Sequence, residues 1–306
     1  MNDVKFTIGI NGGRVSGLYT EPGLNVLWSN PEGVHSEDDW PNPGGDRVWI
    51  SPESELFFPD RSGWGRYKVP ASVDPGHYSM SKGKNGSVTL KNEGEARMFG
   101  VGCGFAFRLV QEISPLEKPY CACVEGLAFA GYRKTVTLQV EGTFPETLCP
   151  AIWNLLQVPP GGSIFGECPA PWPQPFFGKG AWQRQGKFVE VPVPSPGESF
   201  KIGIPPEIST GRMLYVNETA PRPFLIMRRF NVAGKCCDAA FGHKDCVPCP
   251  QQFFSDNGSA GGFGEMEHHS TPVASDGGTI TDVCTTEAFS GSIDAVREYA
   301  QRLMIQ

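Results

Sequence analysis

Few helices can run through a chain broken as often as this one, in which 38 glycines and 28 prolines are spread along 306 residues. Proline removes a backbone donor and clashes with the preceding turn, and glycine in a helix interior costs chain entropy. Between these breakers, about every ten residues, lie short runs rich in Val, Ile, Phe, Tyr and Thr, the composition of strands joined by turns. We expect strands at 5–10, 25–29, 48–51, 87–91, 105–112, 132–141, 152–158, 187–193, 200–204, 212–217, 224–231, 264–269 and 279–288. No helical pattern of 10 to 15 residues separates them, which argues for an antiparallel sandwich or barrel and against a parallel α/β sheet. One helix is expected, at the C-terminus. Ser292 can cap it, Asp294 sits in its first turn, and Ile293, Val296, Tyr299, Ala300 and Leu303 recur at helical spacing.

No repeat or linker divides the sequence, so residues 1–306 read as a single domain with a Cys-rich excursion at 234–251. The formal net charge is -7. No run of Lys or Arg exceeds two residues, so neither a nucleic acid nor an anionic membrane is an expected partner, and a neutral substrate fits better. No stretch approaches the roughly 18 to 20 apolar residues of a membrane helix, and residues 1–10 lack a basic, cleavable leader. The expected compartment is the cytoplasm, or the periplasm or exterior if a leader has been removed.

The densest collection of reactive side chains is GEMEHHSTP, 264–272, reached through a glycine-rich approach. As a strand it places Glu265, Glu267 and His269 on one face and Met266 and His268 on the other. Two carboxylates and an imidazole on one surface suit acid/base chemistry or a polar sugar-binding floor. They could also supply metal ligands, but the spacing is not the HExxH helix pattern, and we expect no resident metal and no cofactor. The bland alternative is a solvated, turn-rich edge.

A second stretch, NPGGDRVWISPE at 42–53, sets a tight turn before a strand on which Asp46, Val48 and Ile50 face one way and Arg47 and Trp49 the other. An Arg fork beside an indole suits a sugar, donating to hydroxyls while the ring covers C–H faces. Structural ion pairs made by Asp46 and Arg47 are the competing reading. In CPAIWNLLQVPPGG, 149–162, Trp153, Leu155 and Gln157 alternate with Asn154 and Leu156. Cys236, Cys237, Cys246 and Cys249, with His243 among them, allow structural zinc, disulfides or free thiols. No phosphate loop opens a helix, and no GxSxG elbow is present.

Together these stretches resemble the galactose-mutarotase-like superfamily, which includes the aldose 1-epimerases. Gly45-Asp46-Arg47 is similar to the family's early Gly-Arg-x-x-Asn-Arg pattern. Residues 150–155 are similar to its His-Pro-Tyr-Phe-Asn-Leu, and 266–272 to its Leu-Glu-Thr-Gln-x-x-Pro, with Glu267 and Pro272 in step. The resemblance implies an all-β fold, a large antiparallel β-sandwich of the galactose-mutarotase-like supersandwich kind, carrying a C-terminal helix and a cleft for a mono- or oligosaccharide. It implies Glu267 as the base that takes the anomeric proton. The family's general-acid His is replaced by Pro150, so His269 or His77 becomes the expected acid. Arg47, Trp49, Glu265, Asn154 and Trp172 become the expected substrate-binding residues. The alternatives are a polysaccharide lyase or glycoside hydrolase using the same cleft, for which Glu265 and Glu267 have compatible spacing, or a non-catalytic carbohydrate-binding module. No oligomeric state is implied.

Overall fold

The computed structural model describes residues 5–30, 40–60, 67–121, 125–169, 173–240 and 247–305. Trp172, His243 and Cys246 lie outside the described residues. The strands in chain order are β1 (Phe6–Gly9), β2 (Arg14–Glu21), β3 (Leu24–Asn25), β4 (Asp46–Ser51), β5 (Ser79–Lys82), β6 (Val88–Met98) and β7 (Cys103–Pro115). Next come β8 (Ala128–Glu141), β9 (Ala151–Val158), β10 (Gly162–Glu167), β11 (Gln174–Phe177), β12 (Gln183–Gln185) and β13 (Phe188–Val193). Then follow β14 (Phe200–Ile204), β15 (Arg212–Asn217), β16 (Phe224–Phe230), β17 (Gln251–Ser255), β18 (Gly264–His269) and β19 (Gly278–Ser290). One short helix, α1 (Glu53–Leu56), follows β4, and α2 (Ile293–Ile305) closes the chain.

The strands form two antiparallel sheets. The first runs β1-β2-β4-β9-β18-β17-β14-β11, with β3 beside β2, and the second runs β12-β13-β10-β15-β16-β19-β8-β7-β6-β5. The fold is thus a large antiparallel β-sandwich of the expected class. Long strands such as β6, β7, β8 and β19 alternate buried and half-buried or exposed residues along much of their length, because one face of the second sheet meets the first and the other meets solvent. In the central strands β4, β9 and β18 every residue is buried, so both faces are covered. One of those faces meets the second sheet. The other is the floor of a cavity.

Strands β2, β5, β10, β11, β12 and β17 add to those expected from sequence, and four of them have a local reason for a weak signal. β10 is GSIFGE, with two glycines in six residues, and β17 is QQFFS, whose buried glutamines mask the alternation. The short edge strands β5 and β12 are exposed throughout and have no apolar face to recognise. The expected strand at 25–29 shrinks to the two-residue β3 and an isolated bridge from Ser29 to Gly44.

At α2, Ser292 Oγ accepts from the Ala295 amide at 3.3 Å, satisfying an otherwise orphaned donor. Val296, Tyr299, Ala300 and Leu303 pack with Leu214, Leu225 and Phe289 on the outer side of the second sheet. Ile293, also at helical spacing, is instead 36 % exposed. It precedes the turn that meets the sheet.

Candidate functional site

The cavity floor is built by the register of five strands. Arg47, Leu155, Glu267 and Gln252 are successive cross-strand partners on β4, β9, β18 and β17. One row away, Trp49, Trp153 and His269 are aligned, and on the opposite side Gln157, Glu265, Phe254 and Lys201 are aligned, the last on β14. A period of two puts all of them on the same surface. The cavity above them has a volume of about 450 Å³, within the ~300–1,000 Å³ usual for small-molecule sites. Its walls are Trp40, Phe58, Tyr67, Phe177 and Phe263, and its charged groups are Arg47, Lys201, Glu53, Glu265 and Glu267.

Arg47 is delivered by the turn before β4. Gly44 and Gly45 hold φ of +87° and +84°, and a Cβ on Gly45 would lie 2.3 Å from the Val15 carbonyl oxygen, so only glycine fits there. The Arg47 guanidinium lies 4.1 Å from the centre of a Trp49 ring and donates through Nη2 to Glu265 Oε1 at 2.8 Å. Gln157 Nε2 donates to the same oxygen at 2.9 Å. The indole beneath is fixed from behind, because Trp49 Nε1 donates to Asp74 Oδ2 at 3.1 Å and Asp74 is held by buried Arg14. Among the described residues, Arg47 Nε and Nη1 have no hydrogen-bond partner. A buried guanidinium with idle donors is costly unless something else accepts from it.

Glu267 is 1 % exposed. Its Oε2 accepts from Trp153 Nε1 at 2.8 Å and contacts Lys201 Nζ at 2.9 Å. Lys201 Nζ also contacts Glu53 Oε2 at 2.9 Å, so one ammonium bridges two carboxylates. Glu267 Oε1 is buried and has no partner among the described residues. Burial pushes the Glu267 carboxyl up to about 8, against the pull of Lys201 and with the help of Glu265 and Glu53. Glu53 is raised too, by burial first, and then by Asp238 and Glu265 acting against Lys201. Lys201 is held firmly charged because Glu267, Glu53 and Asp238 outweigh its desolvation. Two carboxylates on one ammonium leave a surplus negative charge, which favours a proton on one of them.

Arg47, Trp49, Glu265 and Glu267, expected from sequence, all line the cavity. Three others do not. Asn154 faces the second sheet and donates to Asp282 Oδ2 at 3.0 Å, since it alternates with Trp153 and Leu155 on β9. His77 is exposed in the turn before β5, where its amide donates to Asn92 Oδ1, and it is not among the cavity-lining residues. His269 shares the face of Glu267 but is fully buried, stacked flat on Trp153 with ring centres 5.5 Å apart. Burial holds its imidazole at about 3, and its Nε2 lies 3.7 Å from Asp238. It is a neutral ring behind the indole and supplies no acid to the cavity. Lys201, Gln157 and Tyr67 were not singled out by sequence reasoning. Lys201 did leave a signal: it is a lone charge inside the apolar strand FKIGI. Among the described residues no cluster of His, Cys, Asp and Glu is arranged to hold a metal ion. Cys236 and Cys237 are buried thiols.

No known family profile matches the chain, and no curated protein matches it. Solved structures do. A candidate aldose 1-epimerase from Klebsiella pneumoniae subsp. pneumoniae aligns with a TM-score of 0.52 at 10% identity, over 98% of this chain and 80% of its own. The Slr1438 protein of Synechocystis sp. PCC 6803 aligns with a TM-score of 0.51 at 10% identity, over 92% of this chain and 90% of its own. A galactose mutarotase related enzyme from Lactobacillus acidophilus aligns with a TM-score of 0.50 at 9% identity, over 94% and 95%. At such identities the likeness establishes the architecture alone: this chain has the β-sandwich fold of galactose mutarotase-related proteins.

Proposed function

We propose that the chain belongs functionally with the galactose-mutarotase-like proteins, that its cavity takes one sugar ring, and that it interconverts anomers in the manner of an aldose 1-epimerase with Glu267 as the base. The carrying observation is the pairing of idle polar atoms, Arg47 Nε and Nη1 and Glu267 Oε1, on the floor of an aromatic-walled cavity. Hydroxyls of a sugar satisfy such donors and acceptors while its C–H faces lie against rings.

In this reading Glu267 Oε1 takes the proton from the anomeric hydroxyl. The bond from C1 to the ring oxygen breaks as that oxygen gains a proton, giving an open-chain aldehyde that recloses on either face. The acid is Glu53, a cavity-lining carboxyl whose proton affinity burial raises, in the place of the two histidines, neither of which lines the cavity. Arg47 and Glu265 hold hydroxyls, and Lys201 fixes the two carboxyls relative to each other. Glycosidic cleavage is the weaker reading, because Glu265, which would have to act with Glu267, already accepts from Arg47 and Gln157 through Oε1.

Polarimetry on freshly dissolved anomers across a panel of aldoses tests the proposal. Acceleration by the protein that Glu267→Gln abolishes is the expected result. Activity that survives this substitution overturns Glu267 as base. Saturable binding with no acceleration on any aldose leaves a binding module.

A further inference from the structure

Resting on the reading of this cavity as a sugar site, we propose that its ligand is positively charged: an aldose ring bearing a free amino group, in preference to a neutral or anionic sugar. The whole chain's charge bears on nucleic acids and membranes, whereas the ligand meets only the groups that line the floor. Three carboxylates are there, Glu53, Glu265 and Glu267, against two cations, Arg47 and Lys201. The balance is not restored by the surroundings. Asp238 stands behind the site, its Oδ1 accepting from the Glu53 amide at 2.7 Å and its Oδ2 from Gln252 Nε2 at 2.8 Å. His269, the other titratable group behind Glu267, is neutral, and Tyr67 adds no positive charge.

Both cations already face carboxylates, although Arg47 Nε and Nη1 stay open for a hydroxyl. Arg47 bonds Glu265, and Lys201 divides itself between Glu53 and Glu267. The carboxylate atom left open is Glu267 Oε1, on a side chain 1 % exposed, lining the cavity and without a hydrogen-bond partner among the described residues. An ammonium donates to such an oxygen, supplies the missing positive charge, and is favoured by the faces of surrounding aromatic rings. A uronate would bring a fourth carboxylate to the same space and is disfavoured by the same arithmetic.

This makes a distinctive linkage. Before a ligand arrives, burial and the neighbouring carboxylates favour a proton on Glu267 or Glu53, so an incoming ammonium should displace it, whereas a neutral sugar should leave it in place. Titrations followed by tryptophan emission, with Trp40, Trp49 and Trp153 all lining the cavity, and by calorimetry in buffers of different ionisation enthalpy distinguish the two. The probes are glucosamine, N-acetylglucosamine, glucose, glucuronate and methylamine, at pH 6 and pH 7. Glucosamine should bind about tenfold or more tighter than glucose, the order of effect expected of one buried charge contact. Its binding should release up to one proton, N-acetylglucosamine should fall back to the level of glucose or below, and glucuronate should be weakest. In Glu267→Gln, checked for folding by circular dichroism, the preference for glucosamine over glucose should shrink toward one. Equal affinities for glucosamine and glucose, with no proton release, overturn the charge preference while leaving the sugar site standing. Methylamine binding as well as glucosamine, or no sugar binding at all, overturns both.

Discussion

Glu267→Gln should change how stability depends on pH more than it changes stability itself. Glutamine has the shape of a protonated glutamic acid, keeps an oxygen for Trp153 Nε1 and cannot ionise. In the folded protein the Glu267 carboxyl is raised from 4.5 to about 8 by burial. A carboxyl raised on folding binds its proton more tightly in the native state. Its contribution is therefore complete below the unfolded value, near 4.5, and is lost as pH climbs through about 8. Every tenfold gain in proton affinity on folding corresponds to about 1.4 kcal/mol. The full window sets a ceiling of roughly 5 kcal/mol, and the accessible interval from pH 5 to pH 8 about 4 kcal/mol, order-of-magnitude figures for a proton shared with Glu53. With a urea slope of ~3 kcal/mol/M or more, as for a chain of this size, the difference between the two midpoints should drift by about 1 M across that interval.

The assay is urea unfolding of both proteins at pH 5, 6, 7 and 8. The wild type should lose stability relative to the variant as pH rises, and Glu53→Gln should flatten the profile likewise, because either substitution leaves one carboxylate for Lys201 and removes the surplus charge. Parallel profiles for wild type and Glu267→Gln would refute the reasoning, since they would mean that Glu267 is ionised throughout and no proton is shared.

Other outcomes follow from the same contacts. Lys201→Met leaves Glu53 and Glu267 facing each other without a cation and should cost about 3–5 kcal/mol at pH 8, with part of the loss recovered at pH 5, both read by urea midpoint. Arg47→Lys should weaken sugar-induced quenching of tryptophan emission nearly as much as Arg47→Ala, because an ammonium cannot donate to Glu265 and a ligand at once in the fork geometry. Anomerisation, if Glu267 is the base, should rise with pH toward about 8, and His77→Ala should leave both the rate and that profile unchanged. Asp46→Asn should destabilise by about 3–5 kcal/mol, because Lys134 Nζ at 2.7 Å and Arg228 Nη1 at 3.1 Å would lose the carboxylate between them.

Much of the architecture is written in local periodicity. The alternation of β4 separates Asp46, Val48 and Ile50 from Arg47 and Trp49, and that of β18 separates Glu265 and Glu267 from Met266 and His268, each as a period of two requires. Asn154 shows what happens when motif likeness overrides that rule. The same alternation that puts Trp153 and Leu155 on the cavity floor puts Asn154 on the opposite face, against Asp282. His77 drew notice as an imidazole beside a Pro-Gly turn, but nothing local says which way a turn projects. Lys201 and Glu53 are harder still. They meet Glu267 only because β14 lies two strands from β18 and α1 follows β4, long-range facts that no window of sequence contains.

The two faces of the first sheet show why one buried charge cluster is read as structure and the other as a site. On the inner face Asp46 and Asp282 stand against Lys134 and Arg228, with Tyr132 Oη donating to Asp46 at 2.5 Å and neutral His268 bonded to Asp282 at 2.9 Å. Charge cancels there. Arg228 and Lys134 accordingly hold Asp46 at about 2, against its burial, fully ionised at any ordinary pH. On the outer face, a few ångströms of strand thickness away, three carboxylates share two cations, a carboxyl is pushed up to about 8, and idle polar atoms border the cavity. Desolvation is common to both clusters. What differs is the unpaired charge, and a fold that held Asp46 in so complete a set of partners had the means to do the same for Glu267. The incomplete set is the feature on which the proposed sugar site rests.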